Sequence, residues 1–156
     1  MIQKITLFIT LFAYAVIVSQ PLMYLLSLKN VQLALGGSSY TELRQLTDAN
    51  MRSHFPIAIY TALLSNLLLV FLHIKNPAGF YFIASFISLL LLVADILLMT
   101  RGNMPLNNII NSWSMQSFPA NWQEIRAAWF RVFAWRQVVS IAGFIVLLLL
   151  AVFGKK

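Results

Sequence analysis

NPAGFYFIASFISLLLLVA, residues 76–94, holds no Asp, Glu, Lys or Arg, and the next residue is Asp95. Crossing a bilayer core of ~30 Å takes ~20 residues of helix, so a charge-free run of this length reads as a membrane span. Three more stretches share its character: Ile5 to Leu28, Phe55 to Ile74 and Gln137 to Gly154. A chain of 156 residues that is 60% hydrophobic and 10% charged carries more apolar surface than one small core can bury, which leaves lipid as its solvent. The expected fold is all-α: one domain, an integral membrane four-helix bundle. Its spans fall at about 5–28, 55–74, 78–100 and 133–153, with two long helical connections, 29–54 and 101–132, capping one end. Lys75-Asn76-Pro77-Ala78-Gly79 makes a tight turn, so the second and third spans form an antiparallel hairpin. The first span follows Lys4 as a secretory signal would. Its apolar run is too long for one, and Ile17-Val18-Ser19-Gln20 offers no small-x-small cleavage site, so a retained span is expected.

The formal net charge is +7, yet no basic cluster exceeds two adjacent residues, which argues against nucleic acid as a partner. Lys and Arg at span ends match lipid headgroups instead. With no cysteine, neither a disulfide nor a thiol nucleophile is available. His54 and His73 bracket the second span and lie on opposite sides of the membrane, and no H-x-x-x-H or carboxylate pair occurs, so no metal or other cofactor is expected. The expected partners are the lipid bilayer and a hydrophobic small molecule; assembly with further copies or in a membrane complex stays open.

Polar residues near the spans supply the candidates for a site. Gln20-Pro21 should kink or open the first helix, making Gln20 either a pocket-lining amide or an inter-helix hydrogen bond. Ser39-Tyr40-Thr41-Glu42 has the S-x-x-E form of a capping box, so a short helix should run from there toward His54. On that helix Tyr40, Leu43, Thr47, Asn50, Met51 and His54 share a face, while Arg44 and Asp48 point elsewhere. His54 is an interfacial anchor or a proton acceptor for a substrate. Asp95 is the one acid inside a span, ~9 Å before Arg101 along the helix. A charge at that depth faces the bundle interior or pairs with a base, so it is a functional residue or the partner of Arg101 or Arg136.

Met104 to Gln137 holds all four tryptophans. Asn103-Met104-Pro105 looks like a helix start, with Asn107, Asn111 and Ser114 on one face. Asn121 with Glu124 three residues later marks another start, and nothing breaks the helix from there to Phe153. On that helix Trp122, Arg126, Trp129, Phe133, Arg136 and Ser140 fall within an arc of about 80°, opposite Glu124 and Arg131. Aromatic rings interleaved with guanidinium groups suit a planar, oxygen-bearing aromatic ligand. Trp and Arg also gather at membrane interfaces with no ligand at all.

The P-L-N-N run at 105–108, the W-x-x-I-R-x-x-W run at 122–129 and Arg136 at the mouth of the fourth span resemble the anthrone oxygenase-like family of small four-span membrane proteins. The resemblance covers the layout of the whole chain, and its specific part is confined to Pro105, Asn107, Asn108, Trp122, Arg126, Trp129 and Arg136. Fungal members of that family are implicated in oxidising anthrones to anthraquinones with molecular oxygen, without metal or flavin. Asp95 does not map onto the family pattern. Together with that resemblance, the residues suggest a cofactor-independent oxidation in which His54 or Asp95, neither of them part of the matched pattern, removes a proton and Arg126 and Arg136 stabilise the resulting anion. Asn107 and Asn108 would hold oxygen atoms, and Trp129 would stack on the rings. The competing reading is a non-catalytic accessory subunit whose Trp and Arg face meets another protein or lipid.

The raw Lys/Arg count favours the two long connections inside, whereas the density in short segments without acids, Lys4, Lys75, Lys155 and Lys156, favours both termini inside; the termini are expected in the cytoplasm. The expected location is a bacterial inner membrane, with the site opening on the outer side.

Overall fold

The computed structural model describes residues 1–154; Lys155 and Lys156, used above for the orientation of the C-terminus, lie outside the described residues. Six α-helices run in the order α1 (Ile2–Met23), α2 (Lys29–Ala34), α3 (Gly37–Leu72), α4 (Phe80–Leu98), α5 (Met104–Asn111) and α6 (Trp122–Phe153). A π-helical turn, Tyr24–Leu28, joins α1 to α2, and a second, Met99–Asn103, joins α4 to α5. The result is four rods, 2–34, 37–72, 80–111 and 122–153, each long and apolar enough to cross a membrane. α1 packs beside α3, α3 beside α4, α4 beside α6 and α6 beside α1, which closes a four-helix ring.

Rods of 32 to 36 residues are about 50 Å long, well beyond the ~30 Å of hydrocarbon. The surplus collects at one end, because the turn at 73–79, the start of α1 and the end of α6 occupy the other. The two connections expected to cap that end are there, built as straight continuations of the spans. The helix expected from Ser39 to His54 begins at Gly37 without a side-chain cap and passes through Pro56 to Leu72. Pro56 removes one N–H, yet helices in membranes tolerate this where neighbouring groups take up the freed carbonyl. Asn103-Met104-Pro105 does begin a helix, α5, with the proline in its first turn, and α5 follows directly on the π-turn so that α4, the turn and α5 form one rod. The long fourth helix, Trp122–Phe153, matches the run read from Asn121 to Phe153.

Inside the ring two apolar clusters stack along the axis. One lies at span depth and includes Tyr14, Ile17, Ala62, Leu69, Leu92 and Leu147. The other lies among the projecting ends and includes Tyr24, Tyr40, Ile110, Trp129 and Phe133. Small residues let the spans approach, since lipid tails offer no hydrophobic drive between helices. A Cβ at Gly143 would collide with the Tyr14 hydroxyl, and the Asn66 amide meets the Ser88 hydroxyl at 3.1 Å between α3 and α4. The outer surface keeps Phe8, Phe12, Leu64, Phe71, Phe86, Leu90 and Leu149 exposed. An apolar belt that extensive belongs in lipid.

Candidate functional site

The π-turns place the site. An extra residue per turn rotates the following side chains relative to the span below, and such turns recur at functional positions. The turn after α4 brings Asn103 inward to 2% exposure. There Asn103 Nδ2 donates to the Trp129 carbonyl at 3.1 Å, and its Oδ1 lies 3.5 Å from Arg136 Nη1. The turn after α1 buries Tyr24, whose hydroxyl accepts from Gln32 Nε2 at 2.8 Å and from Arg44 Nη1 at 3.0 Å.

Asn107 is the junction of the polar network. Its Oδ1 accepts from Arg44 Nη2 at 2.8 Å and from Trp129 Nε1 at 2.8 Å. Its Nδ2 donates to Asp48 Oδ1 at 2.7 Å. Asp48 Oδ2 in turn accepts from Asn111 Nδ2 and Arg52 Nε, each at 2.7 Å, and Arg52 also donates to Asn108 Oδ1 at 2.7 Å. Three donors thus converge on the two oxygens of the Asp48 carboxylate. Two carboxylate–guanidinium pairs occur among the described residues: Asp48 with Arg52, and Asp95 with Arg136, the latter with Nε 2.7 Å from Oδ1.

Beside this network lies a cavity of about 410 Å³ between α3, the α4–α5 junction and α6. Its polar end is formed by Arg44, Asp48, Asn103, Asn107 and Arg136. The walls are apolar: Phe55, Pro56, Ile59, Leu63, Ile96 and Met99. Arg52, Tyr60 and Thr100 line it while exposed on the outside of the bundle, so it opens sideways between the second and third rods. The volume is that of sites that take small organic ligands.

Of the residues singled out from sequence, Gln20, Asn107, Trp129 and Arg136 line this cavity. Asp95 stands behind Arg136 as its counter-charge, 1% exposed, which selects the ion-pair alternative. His54 is exposed and outside the cavity lining, with Nδ1 3.0 Å from its own helix's Asn50 carbonyl. Arg126 reaches away from the cavity to the end of α2, donating to the carbonyls of Gln32, Leu33 and Leu35 at 3.0, 3.2 and 3.2 Å. A cation on unpaired carbonyls at a helix C-terminus is a cap. Its guanidinium also rests 4.6 Å from the Trp122 ring centre, and Trp122 packs on Tyr40 and Phe118. Phe133 is buried against Tyr24 at 4.6 Å and Trp129 at 4.8 Å. Trp129 is already covered by Phe133 and by Arg44, whose guanidinium carbon sits 4.0 Å from the ring centre. Trp129 therefore presents an edge to the cavity, not a free stacking face. Asn108 is exposed and serves Arg52.

Sequence reasoning missed Arg44, Asp48, Arg52 and Asn103. On a helix Arg44 and Asp48 lie only about 40° and 80° round from Tyr40, so the buried face was misplaced by a fraction of a turn, toward Asn50 and His54. The signal available was Tyr40, Arg44, Thr47, Asp48, Met51 and Phe55 sharing one arc. Among the described residues no three of His, Cys, Asp and Glu come together. No protein-family model, no curated protein and no solved structure matches the chain.

Proposed function

We propose that the chain is an integral membrane protein that binds a hydrophobic, oxygen-bearing aromatic or quinone-like molecule in the cavity between its second and third rods. The observation that carries this reading is the cavity's division into an apolar wall and a polar end with guanidinium and amide donors. Such a site takes a flat apolar body and fixes its oxygens. The sideways opening lets a membrane-dissolved ligand enter without crossing water. The aromatic stripe of α6 is buried by Tyr24 and Tyr40 of the same chain, whereas an accessory-subunit reading needs that stripe for a partner.

Oxidation of the bound molecule, as in the anthrone oxygenase-like proteins that the sequence resembles, is the catalytic form of this proposal. In it, Arg136 and Asn107 would face the developing oxyanion. The geometry favours binding over this chemistry, because Asp48 and Asp95 are both committed to arginines and His54 stands outside.

The test is titration of 2-methylanthraquinone, a neutral quinone, into the protein in zwitterionic nanodiscs, read by tryptophan fluorescence against empty discs. Wild type should bind saturably, and Leu63→Trp, which fills the cavity wall, should not. Equal signals for both would refute the pocket.

A further inference from the structure

Arg44 is 3% exposed, and its guanidinium meets only neutral groups. Nη1 donates to the Tyr24 hydroxyl, Nη2 donates to Asn107 Oδ1, the plane lies over Trp129, and Nε has no partner. The other two arginines of the cavity lining are matched one for one, Arg52 with Asp48 and Arg136 with Asp95. Among the arginines that line the cavity, Arg44 is thus the one with no carboxylate within ion-pairing distance. A buried cation without an anion is costly, and proteins keep such groups paired. Arginine cannot shed its proton to escape that cost. Arg44 itself lines the cavity, so a ligand seated there can supply what the chain does not.

Resting on the pocket reading above, we infer that the natural ligand binds as a singly charged oxyanion, a carboxylate or a phenolate on an apolar body, with its oxyanion against Arg44. One arginine without a carboxylate partner of its own matches a monoanion. The apolar walls, Phe55, Ile59, Leu63 and Ile96 among them, match a hydrophobic remainder and leave no second cation for a more highly charged head. Asn103 and Asn107 flank the position and orient the head by hydrogen bonding.

The experiment compares anthraquinone-2-carboxylate with 2-methylanthraquinone, which share a ring system and differ in charge, on wild type, Arg44→Gln and Arg44→Lys in zwitterionic nanodiscs. Wild type should bind the carboxylate at least about tenfold more tightly than the neutral compound, the scale of one charge-assisted contact. Arg44→Gln should lose that preference while still binding the neutral compound, which also reports that the variant is folded. Arg44→Lys should keep part of the preference, and carries the comparison if the glutamine variant does not fold. Equal affinities in wild type, or a preference unchanged in the Arg44 variants, would overturn the anionic ligand and leave the pocket standing. Binding of neither compound would overturn the pocket and this inference together.

Discussion

Arg136 of α6 and Asp95 of α4 are each other's counter-charge in the bundle interior, with Nε 2.7 Å from Oδ1 and side-chain exposures of 9% and 2%. This contact ties two adjacent spans together at the floor of the cavity. Removing either partner strands the other, which costs roughly 3–5 kcal/mol for a buried pair. Asp95→Ala and Arg136→Ala should each lower the thermal midpoint in detergent sharply, and Asp95→Leu combined with Arg136→Met should be milder than either. If the double variant is as unstable as the sum of the single alanine variants, the pair is not a closed unit.

Arg126 acts as a clamp on the end of the first rod and does not line the cavity. Arg126→Ala should free the carbonyls of Gln32, Leu33 and Leu35 and cost about 1–3 kcal/mol. Faster hydrogen exchange confined to residues near 29–36, with quinone affinity unchanged, is the expected result. Lost affinity with an unchanged helix end would assign Arg126 to the ligand after all.

His54 carries neither the ligand nor the fold. His54→Ala should change stability by less than about 0.5 kcal/mol, as for exposed positions whose contacts are local to their own helix, and should leave binding of 2-methylanthraquinone unaltered. A change in that affinity would return the residue to the site.

Gly143 allows α6 to lie against Tyr14 of α1. Gly143→Ala drives a methyl into the Tyr14 hydroxyl and should destabilise by about 1–3 kcal/mol through overpacking. Adding Tyr14→Phe should recover part of that loss, because it deletes the atom struck first. No recovery would mean that the helices part at this level instead of repacking.

The bundle itself was legible because hydropathy over some twenty residues is a strong, additive signal, and the fourth helix because Asn121 and an unbroken run to Phe153 delimit it. Its inward face was legible too: Trp129, Phe133, Arg136 and Ser140 are all buried, as their shared arc required. The faces of the other rods were harder to read. Arg44 and Asp48 look solvated in sequence, since charge normally marks the outer face, and only the long-range partners Tyr24, Asn107 and Asn111 make their burial affordable. The π-turns leave no local pattern, so the inward swing of Asn103 could not be read from spacing. Asn108, Trp122, Arg126 and Phe133, read from spacing as site residues, are outside the cavity lining, and each makes hydrogen-bonding, packing or capping contacts that one-dimensional spacing does not reveal.

The central claim is that this bundle holds a small hydrophobic molecule in its own cavity, and a native mass spectrum tests it most directly. Wild type and Leu63→Trp would be released from their own membrane in a mild detergent and compared. The account predicts a stoichiometric small-molecule adduct on the wild type that is missing from the variant. A second polypeptide at fixed stoichiometry, with no small molecule on either protein, would contradict it.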